Sequence, residues 1–73
     1  MDVIDQHIER ARNLIYLKKY DQAVPELQKA LIIDPHNYMA LVLLTSAYIQ
    51  LHDEEKTNEY TQKLLTAAPD QGI

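Results

Sequence analysis

At 73 residues with a net charge of −4, the chain is one small domain; a fold of this size buries only about 60 % of the surface its unfolded form exposes. The absence of cysteine removes disulfides, thiolate nucleophiles and thiolate metal ligands together, and fits a reducing, cytoplasmic location. With 47 % apolar and 25 % charged residues, a single glycine and few alternating β-branched runs, the composition argues against a sheet and for an all-α fold.

Four helices follow in chain order. The first is expected from about residue 3 to 18, with Asp2 as N-cap and Ile4, Ile8, Ala11, Leu14, Ile15 and Leu17 at helical spacing. The second opens near Asp21 and closes at Asp34-Pro35, with Ala23, Val24, Leu27, Ala30, Leu31 and Ile33 apolar. If Asp21 or Gln22 caps it, Pro25 falls in the first turn, where its missing N–H is tolerated. Pro35 stops this helix by disfavouring helical geometry at Asp34, and Asn37 can cap a third helix from Tyr38 to about Leu51. That helix is apolar nearly all round and too short to cross a bilayer, so other helices or a partner must cover it. The fourth starts near Asp53, whose carboxylate can cap it, and ends at Ala68-Pro69; its polar residues make it a terminal, water-facing element. Residues 70–73 are expected to fray.

The chain also repeats itself. Pro35 recurs as Pro69, Gln28-Lys29 as Gln62-Lys63, Leu31 as Leu65, Ile15 as Ile49 and Leu17 as Leu51, all at an offset of 34 residues. That period is the signature of a helical-hairpin repeat. The run Tyr20-Asp21-Gln22-Ala23, then Leu27, Ala30-Leu31 and Asp34-Pro35, resembles the second half of a tetratricopeptide repeat. The resemblance covers roughly residues 4–71 and implies two tandem helix-turn-helix hairpins, about 4–37 and 38–71, forming four antiparallel helices in a short right-handed superhelical solenoid. In this comparison Ala11, Ala23 and Ala30 hold the small-residue places of the first unit, and Leu14 and Leu27 the large ones. The second unit keeps Leu41, Leu44, Tyr48 and Pro69 but carries Thr45, Thr57 and Leu64 at the small places. His7 and Arg10 stand where large apolar residues are usual, as befits a helix with nothing before it to pack against.

The resemblance implies a protein-interaction module whose concave groove is lined by the first helix of each repeat. Carried onto this chain, the groove-facing places are Asp5, Ile8, Arg12, Ile15 and Tyr16, then Met39, Val42, Ser46, Ile49 and Gln50. All but Asp5 are the expected partner-binding residues, and the partner is a protein or peptide. A clamp for a terminal carboxylate is not expected, because Ile8 and Leu43 stand where two of its polar ligands would be. Arg12 is expected to sit alone among apolar groups, free to meet a carboxylate. An alternative use of the same apolar surface is pairing with itself, giving a homodimer, with exchange of helices as a variant.

Other classes of function find little support. Residues 1–37 carry five Lys or Arg against six acids and residues 38–73 two against five, a balance unsuited to nucleic acid. The sequence Met1-Asp2-Val3-Ile4-Asp5 is acidic where a secretory signal needs positive charge, and no apolar run suits a membrane span, so an unprocessed soluble chain is expected. His7 and His36 lack partners at metal-ligand spacing; His52 lies beside Asp53, Glu54 and Glu55, but adjacent residues cannot all face one ion on a helix, and a cap with solvated acids accounts for the run; Gly72 alone cannot build a phosphate loop, and Ser46 has no base nearby. No metal, no cofactor and no enzymatic activity are expected.

Overall fold

A computed structural model describes residues 2–67, which form four helices: α1 (Val3–Tyr16), α2 (Tyr20–Ile33), α3 (Tyr38–Gln50) and α4 (Glu54–Ala67). There is no strand among the described residues. Asp2, Asn37 and Asp53 cap α1, α3 and α4 as their sequence positions predict: their side-chain oxygens accept from the backbone N–H three residues on, at 2.9, 2.9 and 3.0 Å. Each cap satisfies a donor that the first helical turn leaves unpaired. The ends of α3 and α4's start thus match expectation, whereas Pro69 and the expected fraying of residues 70–73 lie outside the described residues.

Two boundaries differ from expectation. The first helix stops at Tyr16 rather than near residue 18, because Lys18 adopts a left-handed conformation with φ 63°. Lys18 N–H bonds to Ile15 C=O and Lys19 N–H to Leu14 C=O, the pair of bonds that closes a Schellman turn. His52, 34 positions later, repeats this geometry with φ 60°, with His52 N–H on Ile49 C=O and Asp53 N–H on Tyr48 C=O. Neither residue is glycine, so each hairpin holds one residue in a conformation that is unfavourable to a Cβ by about 1–2 kcal/mol.

The second helix begins at Tyr20, with Lys19 in the cap position and no side-chain cap bond. Pro25 is therefore the sixth residue of α2 and not in its first turn. Its ring deprives the Asp21 carbonyl of an intrahelical donor, and both residues lie on the exposed side where water can serve.

α1 packs on α2 and, more lightly, on α3; α3 packs also on α2 and α4, and α4 touches α3 alone. The core at the centre of this arrangement unites Ile8, Ala11, Ala23, Leu27, Ala30, Ala40, Leu44 and Tyr48. The alanines let helices approach closely, and Leu27, Leu41 and Leu44 fill the intervening space with their side chains almost wholly buried. Thr45, at the place of Ala11 in the first hairpin, is buried too; its hydroxyl donates to Leu41 C=O at 2.7 Å, which removes the cost of an unpaired polar group.

Two of the places where the first hairpin is polar and the second apolar meet each other. His7 stands at the place of Leu41, Glu26 at the place of Tyr60, and His7 Nδ1 donates to Glu26 Oε1 at 2.7 Å across α1 and α2. Both side chains are largely shielded, at 16 % and 19 % exposure, and the His7 hydrogen bond holds the Glu26 carboxyl below its ordinary value of 4.5 against the opposing effect of burial. In the second hairpin Tyr60, at the place of Glu26, stacks instead on Tyr48 with ring centroids 5.5 Å apart and an interplanar angle of 26°. Burial pushes the Tyr48 hydroxyl up, the neighbouring Tyr60 adds to this, and Gln28 Nε2 of α2 donates to its oxygen at 3.3 Å.

Candidate functional site

The expected groove residues divide by exposure. Ile8, expected to meet a partner, is 7 % exposed and belongs to the core cluster. It supports the surface from below and offers no side chain to a ligand. Ile15 and Val42 are half-buried, Ile15 resting on the core. Tyr16, Met39 and Ile49 are exposed, at 87 %, 43 % and 52 %, and Arg12, Ser46 and Gln50 are exposed polar positions.

α3 presents one uncharged outer face because its sequence contains no acid or base from Tyr38 to Gln50. On it Met39, Val42, Ser46, Ile49 and Gln50 recur at spacings of three and four, so they share one side of the helix. Tyr38 and Leu51 extend its exposed apolar surface at either end. The α1 positions are different in kind. Arg12 is not alone: its guanidinium is 3.2 Å from Glu9 one turn earlier, in an exposed ion pair. Spacing of three residues makes such a pair legible in the sequence. Asp5 has no ion-pair partner among the described residues.

Two clefts flank α3. One, of about 330 Å³, lies between the α2–α3 corner and the end of α4 and is lined by Pro35, His36, Leu41, Gln62, Lys63 and Thr66. Lys63 is already engaged: its ammonium stands 4.8 Å over the Tyr60 ring and 3.6 Å from Glu59. The other, of about 410 Å³, is formed by Ile49, His52, Asp53, Glu54, Thr57 and Asn58. It adjoins the uncharged face of α3 through Ile49, and apart from Ile49 its lining was absent from the expected set. Its signal in the sequence is the offset: Asp53 and Glu54 replace Lys19 and Tyr20 of the first hairpin.

No three His, Cys, Asp or Glu side chains among the described residues converge as a metal site requires. No helix among them is long and apolar enough to cross a membrane.

A sequence model of the tetratricopeptide repeat matches residues 14–72. The chain belongs to the tetratricopeptide repeat family. Its four helices and lack of strand among the described residues agree with the helical-hairpin architecture of that family. The match begins at Leu14, past the two polar departures His7 and Arg10, so the portion of α1 least like a repeat is the portion left out. Neither curated proteins nor solved structures gave a match to the chain. Tetratricopeptide repeats generally mediate protein–protein interaction and are typically non-catalytic.

Proposed function

We propose that residues 4–37 and 38–71 are two repeats of a single module that captures a peptide or helix of a partner protein on the faces of α1 and α3. The observation that carries this reading is the uncharged outer side of α3. Met39 and Ile49 leave apolar area in water there that the core cannot absorb, while Ser46 between them and Gln50 beside Ile49 supply hydrogen-bonding groups. Such a face suits the apolar side of an amphipathic helix, with Met39 as an adaptable contact and Tyr16 as a contact with both a ring and a hydroxyl.

Ile49→Asp tests the reading with little risk to folding, because the side chain is already half in water. Proteins retained by the wild-type chain in a quantitative pull-down should be lost by this variant, with helical content by circular dichroism unchanged. A retained set common to both proteins refutes the assignment of the face. The same apolar area favours a second reading, pairing of two copies into a homodimer. Light scattering over a concentration series decides that reading, since a monomer at high micromolar concentration rejects it.

A further inference from the structure

Between Pro35 and Leu51 the chain has no ionisable residue except His36 and the tyrosines, so the charge met by a segment lying on α3 comes from what surrounds that helix. At its C-terminal end Ile49 forms one wall of the 410 Å³ cleft whose other lining residues include His52 and the two acids Asp53 and Glu54. Asp53 Oδ1 accepts from Lys56 N–H, yet neither carboxylate has a cation within ion-pair distance among the described residues. The cations that could have compensated them are held elsewhere. Lys56 and Lys63 both bridge to Glu59 at 3.6 Å, and Arg12 bridges to Glu9. Lys18 and Lys19 belong to the turn of the other hairpin and do not line this cleft. The N-terminal end of α4 contributes about half a positive charge, which the three successive acids Asp53, Glu54 and Glu55 outweigh. Asp5, in the first turn of α1, adds one more uncompensated carboxylate on the α1 side.

We infer that the segment captured on this face is amphipathic and cationic, laying apolar side chains on Met39, Val42 and Ile49 and placing a lysine or arginine in the Asp53–Glu54 cleft. This inference rests on the interaction-module reading and deepens it. The long aliphatic stem of a lysine or arginine can cover Ile49 while its head reaches the carboxylates, so one side chain satisfies both halves of the cleft. An acidic segment with the same apolar face meets like charge in that cleft and at Asp5.

Two fluorescein-labelled amphipathic helical peptides test it, identical in a leucine face and differing only in lysine or glutamate on the other. Fluorescence anisotropy with the full chain should show the lysine probe binding about tenfold tighter than the glutamate probe. Raising salt should narrow the gap. Glu54→Lys, which leaves the Asp53 cap intact, should remove most of the preference, and Val42→Asp should abolish binding of both probes, with circular dichroism verifying the fold of each variant. Equal binding of the two probes, or a lysine preference untouched by Glu54→Lys, overturns the charge assignment. If in either case Val42→Asp still abolishes binding, the interaction face itself survives. Binding indifferent to Val42→Asp, or no binding of either probe at high micromolar concentration, overturns both.

Discussion

The hairpin α1–α2 and the hairpin α3–α4 reach the same backbone by different side chains. Their first turns repeat at the 34-residue offset, down to the left-handed Lys18 and His52 and the equivalent pair of backbone bonds at each. Their interiors do not. α2 buries Ala23, Leu27 and Ala30 completely because α3 lies across it, whereas the matching Thr57, Thr61 and Leu64 of α4 are half-buried and α4 has no buried residue. A position's chemistry therefore follows its place in the stack and not its place in the repeat. Leucine is needed at residue 27 because a neighbour covers it, and threonine serves at residue 61 because water reaches it.

The largest expected effect separates those two positions. Leu27→Ala should cost about 2–5 kcal/mol, enough to threaten a domain of this size. Thr61→Ala should change the urea midpoint little. Comparable losses at both would show that α4 is as tightly held as α2.

The polar exception inside the first hairpin comes next. Glu26→Gln should cost about 1–3 kcal/mol at neutral pH, since it weakens a shielded, charge-assisted bond. The sign of the pH dependence follows from the lowered Glu26 value. The unfolded carboxyl takes up its proton near 4.5 while the folded one does not, so this contribution is present above that pH and is lost as pH falls through the lower folded value. Denaturation curves from pH 6 to 3 should thus bring wild type and Glu26→Gln together at the acid end. Parallel curves would mean that the bond contributes no linkage.

Caps distinguish the second helices of the two hairpins. Asp53→Ala should cost about 1 kcal/mol, and Lys19→Asp, which places a carboxylate at the uncapped start of α2, should return a similar amount. Smallest is the effect at the left-handed turns, where Lys18→Gly and His52→Gly should each raise stability by up to about 1 kcal/mol. A gain at only one of the two would show that the equivalent turns are not equally strained.

Much of this architecture is legible in the sequence. The helix starts capped by Asp2, Asn37 and Asp53 are legible because a side chain that bonds the first turn is a chemical mark, and Pro35 marks an end equally plainly. The end of α1 and the start of α2 are not legible for the converse reason: a lysine occupies the left-handed turn where glycine would announce it, and another lysine occupies the uncapped start. The His7–Glu26 bond left a trace only in pairs, as two apolar places of the second hairpin replaced together. At the candidate site the alternation of exposed positions on α3 could be read from spacing, but the burial of Ile8 could not. A stripe at helical spacing does not say which of its members the neighbouring helix will cover. The cleft beside Ile49 is not legible in the sequence because its acids read equally well as the cap and first turn of α4.

Because α4 rests on α3 alone, while α3 touches every other helix, the molecule has a hinge of cooperativity at one end. Detaching α4 removes a single interface and leaves three helices still in mutual contact, so its amides should exchange with solvent ahead of those in α2 and α3. A ligand seated against Ile49 and Glu54 spans that seam, and its arrival would register as slower exchange along α4, well beyond the residues it touches.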